Sequence, residues 1–286
     1  MNKKLKKRKK TKISYLDWLI KNQLRKVFSE SFKIENFSIW WITKLVDKDI
    51  IFNNAWYHQL NSVLNNEKPI AKRKGTSFPF LIAKVIKKFI LVIVANIAAK
   101  IFYKNKNEKD SLKINCFHTT DLHIVPHKKI YLDHQYGLAT LKNKEKNCYL
   151  IQFSNDLKPT LNFLKRKKKL SKVPVNYYIL MKYVSLIDIS KIYLKTFFLF
   201  IKLIFVLKKK NYFILKNKDC SFVLKPLLLE SFYGDIQESL INALAVKNFF
   251  EKEQYKKFIN YGEFYPGWRA IYHFVKSDVG SPIVIT

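Results

Sequence analysis

Lys257-Phe258-Ile259-Asn260-Tyr261-Gly262-Glu263-Phe264-Tyr265-Pro266-Gly267-Trp268-Arg269, read with Pro282-Ile283-Val284-Ile285-Thr286, decides the fold. Lys257 to Tyr261 holds the aromatic and branched residues that suit a pleated, half-buried strand. Gly262 to Gly267 interrupts that run, because glycine frees the backbone and Pro-Gly makes a turn. Apolar residues then recur at Trp268, Ile271, Tyr272 and Val275, the i, i+3, i+4, i+7 spacing of one helix face. Gly280-Ser281-Pro282 ends that helix, and Ile283 to Ile285 is apolar throughout, as a strand covered on both faces must be. The pattern predicts a parallel βαβ unit. Ligands of open parallel sheets bind at the carboxyl ends of the strands. That rule puts Glu263, Tyr265, Trp268 and Arg269 beside a crevice. The loop after the second strand would begin where the sequence ends, so a truncated lobe is expected.

Working outward, Leu227 to Asn248 reads as helical, restarting at Asp235 with Glu238 three residues on, a capping box with Asp in place of Ser or Thr. Tyr212–Leu215 and Ser221–Leu224 read as strands joined by a polar turn. Before them, Asp188 to Lys210 forms a long helix. At 100° per residue, Lys191, Lys195, Lys202 and Lys209 fall within about 40° of one another, and nearly everything else around it is apolar. A broad apolar face with one narrow lysine stripe suits either a helix lying in a membrane interface or one whose lysines snorkel past packed neighbours. Phe78 to Tyr103 is a second long apolar segment. Lysines at 84, 87 and 88 mark a polar face, and a buried or interfacial helix is expected there.

Further back, helices are expected from Ser14 to about Ser29, across Phe37 to Leu45, and from about Asn54. Trp40, Trp41 and Trp56 fall at helical spacing and read as core rather than as a stacking platform. Short β-like runs begin at Leu112. Among them lie His118, His123, His127 and His134 with Asp121 and Asp133. Imidazole and carboxylate are zinc ligands, yet Pro126 opposes a helical His123-x3-His127 pair and no HExxH occurs. These histidines are read as loop residues, and no metal is assigned. Asp156 is expected to cap a helix running into Lys165-Arg166-Lys167-Lys168-Lys169.

The whole chain of 286 residues has 48% hydrophobic and 15% aromatic residues, enough for a sizeable core. Its net charge of +33, from 54 basic and 21 acidic residues, calls for an anionic partner: nucleic acid, anionic lipid or a phosphorylated substrate. Part of the lysine excess fits a compositional bias shared with Asn, Ile and Phe. Three scattered cysteines exclude a disulfide framework or zinc ribbon. No GxGxxG, Walker A, GxSxG or kinase motif is present, so carboxylates near a crevice stand out: Glu230, Asp235 and, best placed, Glu263. Glu263 suits a general base or a sugar-hydroxyl ligand. Arg269 suits a phosphate, unless it simply pairs with Glu263.

Tyr261 to Ala270, with Lys276 and the strand Pro282–Thr286, resembles the start of the second half of surface-polysaccharide glycosyltransferases of the GT-B fold. Phe37-Ser38-Ile39-Trp40-Trp41-Ile42-Thr43-Lys44-Leu45 resembles the Trp-Trp signature near the front of the same surface carbohydrate biosynthesis proteins. The resemblance implies an α/β fold with Rossmann-type parallel sheets, a helical N-terminal region and an incomplete C-terminal lobe. The expected division is a basic tail (1–13), a helical region (14–110), an acceptor-side α/β domain (111–215) and the start of a donor-side domain (216–286). It implies sugar transfer from a nucleotide sugar to a glycan acceptor, with no other cofactor, by an enzyme of which this chain would be a fragment lacking most of the nucleotide-sugar site and inactive alone. Glu263 would be catalytic, and Arg269, Tyr265 and Trp268 would bind substrate. The setting it implies is peripheral, at the inner face of the cell membrane, with Lys191, Lys195, Lys202 and Lys209 on anionic lipid. A basic nucleic-acid-binding or ribosome-associated protein, and a non-catalytic peripheral membrane protein, stay open as alternatives.

Overall fold

Five short strands form one parallel sheet: β1 (Asn115–Thr120), β2 (Asn147–Gln152), β3 (Asn176–Ile179), β4 (Lys257–Ile259) and β5 (Ile283–Ile285). Their order across the sheet is β5-β4-β1-β2-β3, and every neighbouring pair is parallel. The computed structural model describes residues 14–46, 55–67, 78–106, 114–142, 144–154, 157–253, 255–260, 267–276 and 283–285. Asn147 to Ile151 of β2 and all of β3 are buried, as expected of strands with layers on both faces. The outer edge of β3 is partly covered by Lys106, which exchanges backbone hydrogen bonds of 2.9 and 2.8 Å with Tyr177. The predicted βαβ unit is present: β4 and β5 run parallel with Lys257 opposite Ile283, joined through the helix Gly267–Lys276.

The chain divides into two compact units. Met1–Val85, Tyr193–Ser239 and Phe264–Ala270 make the first; Ile86–Ile192, Leu240–Glu263 and Ile271–Thr286 make the second, which holds the whole sheet. This corrects the linear division expected from the sequence. Strands β4 and β5 do not open a second sheet within 216–286. They extend the edge of β1, with Phe258 opposite Cys116, because that edge would otherwise present unpaired backbone groups. The expected boundary at 215/216 falls inside the first unit.

Three local readings are corrected, each for a physical reason. Phe37–Leu45 is not an α-helix. Glu35 and Asn36 both take positive φ (48° and 62°), closing a two-residue hairpin that draws Phe37 and Ser38 into a strand. The chain then makes two 3-10 turns, Ile39–Ile42 and Lys44–Val46. Lys216 and Asn217 repeat the device (φ 48° and 60°), so the second hairpin ends at Asp219 and Ser221–Glu230 is helical rather than a strand. The helix expected after Asp156 is split into Leu157–Leu161 and Phe163–Leu170.

The first unit packs around aromatic rings. Trp40 lies edge-on to Phe28 at 5.5 Å and tilted to Trp18 at 6.3 Å, and Trp56 is also buried, so these are core residues, whereas Trp41, also expected in the core, is exposed under the Arg25 guanidinium because the 3-10 turn points it outward. Helix α1 (Phe78–Phe102) and helix α2 (Leu186–Lys209) are the two longest elements among the described residues. No helix among them is long and apolar enough to cross a membrane.

Candidate functional site

The strand order reverses between β1 and β4, and in sheets of this order the ligand crevice opens at that point beyond the carboxyl ends. Thr120 ends β1 and Ile259 ends β4. Beyond β1 the chain places Asp121, 5% exposed, whose backbone N–H donates to the Gln152 carbonyl at the end of β2. Its carboxylate accepts the Ser154 N–H at 2.8 Å and Arg166 Nε at 2.9 Å. The Arg166 guanidinium also lies 4.1 Å over the Phe153 ring. Lys169 Nζ donates to the Asp121 carbonyl. A buried, cross-linked ion pair therefore ties the loops after β1 and β2 together.

A second carboxylate sits close by in sequence and structure. Asp133 is buried, accepts from Thr119 Oγ1, and accepts the N–H groups of Gln135 and Tyr136 at 2.8 Å each. It belongs to the hairpin Ile124–His127/Ile130–Asp133. His118, within β1, is 1% exposed with its ring 6.1 Å from Phe258 of β4. Burial, helped by the neighbouring His123, pushes its pKa down to about 3, so it is neutral at pH 7. Asn260, the residue after β4, is also buried. Asp121, Asp133, His123 and His134 are thus polar groups at the carboxyl end of β1 that the sequence reading left as loop residues. The usable signal is position: Thr119-Thr120-Asp121 ends a strand, where Rossmann-type sheets keep their polar groups.

Glu263 and Tyr265 lie outside the described residues. Trp268 is half-buried in the first turn of Gly267–Lys276. Arg269 spends its guanidinium on the carbonyls of Trp41 (3.1 Å) and Val46 (3.4 Å), which lie in and at the end of the 3-10 turns. That is a clamp on orphan helix-end carbonyls. Gly267 packs closely on Ser239, since a Cβ there would meet Ser239 Oγ at 2.8 Å and turn that hydroxyl aside. Glu230 and Asp235 both hold Lys44, at 3.4 and 3.3 Å.

In the first unit a cavity of about 410 Å³ is lined by Trp18, Lys21, Asn22, Lys210, Tyr212 and Lys216 among others. Its polar groups largely satisfy one another. Trp18 Nε1 and Asn22 Nδ2 both donate to the Tyr212 carbonyl, and Lys21 pairs with Asp17 at 2.7 Å.

Helix α2 is packed on one side only. Ile189, Tyr193, Thr196, Leu203 and Leu207 form its buried face. The opposite face exposes Ile187 (66%), Leu194 (58%), Phe198 (62%) and Phe205 (59%), flanked by exposed Lys191, Lys195, Lys202 and Lys209. Lys202 reaches sideways to the Ser31 carbonyl and the Phe32 ring. Helix α1 has a comparable outward row at Ile82, Ile86, Ile90, Ile97 and Ile101.

No family model, curated protein or solved structure matches this chain.

Proposed function

We propose that this protein works at an anionic membrane surface in glycosyl transfer for cell-surface polysaccharide assembly, with a substrate held at the β1–β4 crevice. The outward face of α2 is the observation that carries the membrane half. Large aliphatic and aromatic side chains stand in water on one stripe, and lysines line its flank. Exposed apolar rows of this size mark interaction surfaces. The lysines and the net charge of +33 select anionic lipid as the occupant, at roughly 1 kcal/mol per lysine near the surface. The catalytic half rests on the resemblance of Tyr261–Ala270 and of the Trp-Trp stretch to GT-B glycosyltransferases, and is supported by a parallel sheet whose order creates a switch-point crevice. Asp121 or Asp133 would shape the pocket there, and a nucleotide sugar would be the donor.

Flotation on vesicles with and without anionic lipid tests the membrane half. The chain is expected to float with anionic vesicles and to lose affinity by tenfold or more on Phe198→Asp or Phe205→Asp. Each change removes about 2 kcal/mol of buried aromatic surface and adds repulsive charge. Salt-sensitive RNA binding with no flotation would overturn the reading in favour of a nucleic-acid-binding protein. Transfer of label from a panel of nucleotide sugars to a lipid-linked glycan tests the other half, together with the melting temperature in the presence of each donor and of the glycan; neither turnover nor a shift with any of them would overturn it.

A further inference from the structure

The histidines after β1 converge in a way their sequence spacing hides. His123 and His134 bracket the hairpin Ile124–His127/Ile130–Asp133, whose register pairs Ile124 with Asp133. The next residues outward therefore face each other across its base. The His134 N–H donates to the His123 carbonyl at 3.0 Å, and His134 Nδ1 lies 3.3 Å from the same oxygen. Their rings stand 4.8 Å apart, edge to face. Asp133 reaches the same place: one nitrogen of each ring and one carboxylate oxygen all lie within 4.8 Å of one another.

We propose that His123, Asp133 and His134 form a binding site for a divalent transition-metal ion of the zinc class. Two imidazoles and a carboxylate make the N/O donor set such ions take. Three protein ligands leave a coordination position open, the arrangement of sites that bind a substrate oxygen rather than of closed structural sites. Asp133 is held for the role: two backbone N–H groups occupy one carboxylate oxygen and Thr119 Oγ1 fixes the other, which keeps a lone pair for an ion.

Ligands bonded at about 2.1 Å around a tetrahedral ion stand about 3.4 Å apart. Closing the 4.8 Å spread therefore asks for about 1.4 Å, which rotation of the exposed His134 supplies. The nearby cations are already engaged. Arg166 is on the Asp121 carboxylate and Lys169 on the Asp121 carbonyl, leaving the Asp133 charge to the ion. The site lies at the carboxyl end of β1, beside the crevice. Its test does not depend on the identity of any sugar donor.

Cobalt(II) titration of the full chain at pH 7.5, followed by visible absorption and then displaced by zinc, reads the site directly. One ion per chain is expected, with affinity falling at least tenfold in His134→Ala and in His123→Gln. His127→Ala and His58→Ala, outside the cluster, are expected to bind as the parent does. His134 is exposed, so its loss leaves the fold intact, and unchanged far-ultraviolet circular dichroism confirms that. Zinc should also raise the melting temperature of the parent but not of His134→Ala. Absence of saturable binding, or binding untouched by both His134→Ala and His123→Gln, would overturn the assignment.

Discussion

Asp121→Ala is expected to lower stability by about 3–5 kcal/mol, because it leaves Arg166 charged and buried without its partner. Both side chains are almost fully covered, 6% exposed for Asp121 and 3% for Arg166, and their contact is 2.9 Å. In a chain of this size the melting temperature should fall by roughly 10 °C. The pair need not be net stabilising: two charges taken out of water lose about as much hydration as they gain in attraction. Asp121→Asn combined with Arg166→Met should therefore recover most of the loss, since the amide oxygen still accepts from Ser154 N–H and no buried charge is stranded. Thermal melts of the parent and the two variants check this. A single Asp121→Ala within about 1 kcal/mol of the parent would mean that the loops after β1 and β2 are not held by this pair.

The second large effect is a loss of stability in mild acid that traces to His118. Its pKa in the folded chain is about 3 against an ordinary value of 6.5, because the imidazolium would be buried, with His123 adding repulsion. The unfolded chain therefore binds a proton that the folded chain refuses. Stability is full above about pH 6.5 and falls as pH drops toward 3. A shift of this size is worth on the order of 5 kcal/mol over the whole window. Urea midpoints at pH 7.5 and pH 4.5, for the parent and for His118→Leu, separate this contribution from that of the carboxylates. The parent should lose markedly more than the variant. Equal losses would show that the ring reaches water or a compensating partner on protonation.

The parallel pairing of β4 and β5 was legible because Ile283 to Ile285 has no polar residue and Gly280-Ser281-Pro282 punctuates it. The number of sheets was not legible. Lys257-Phe258-Ile259 would pair equally well with the edge of a new sheet or with β1, and only the register of Phe258 on Cys116 decides it. The strand Asn176–Ile179 has no sequence signal of its own, since Tyr-Tyr flanked by Asn and Ile carries no alternation when both faces are buried. The first hairpin was hidden, and the second strand of the other was placed too late, for a different reason: Glu35-Asn36 and Lys216-Asn217 adopt positive φ without glycine, which left no strong two-residue turn signal. The candidate site was half visible. The histidines and aspartates after β1 stand out as a group in the sequence, but helical ligand spacing is the wrong template for them. A hairpin base brings His123 and His134 together across eleven positions.

The helix stripe was readable in the lysines alone, whereas its apolar centre was not. Sequence periodicity places Leu194, Phe198 and Phe205 on the helix without saying whether a neighbour covers them, and the structure leaves them in water.

Entry of this stripe into a lipid interface is tested most directly at Phe198. The three native thiols are buried, so Phe198→Cys can be labelled selectively with an environment-sensitive fluorophore. On anionic vesicles the probe should shift to the blue and be quenched by lipids brominated on their acyl chains, while the same probe on neutral vesicles stays unshifted. A probe that remains in water while the protein floats with anionic vesicles would contradict membrane insertion through α2.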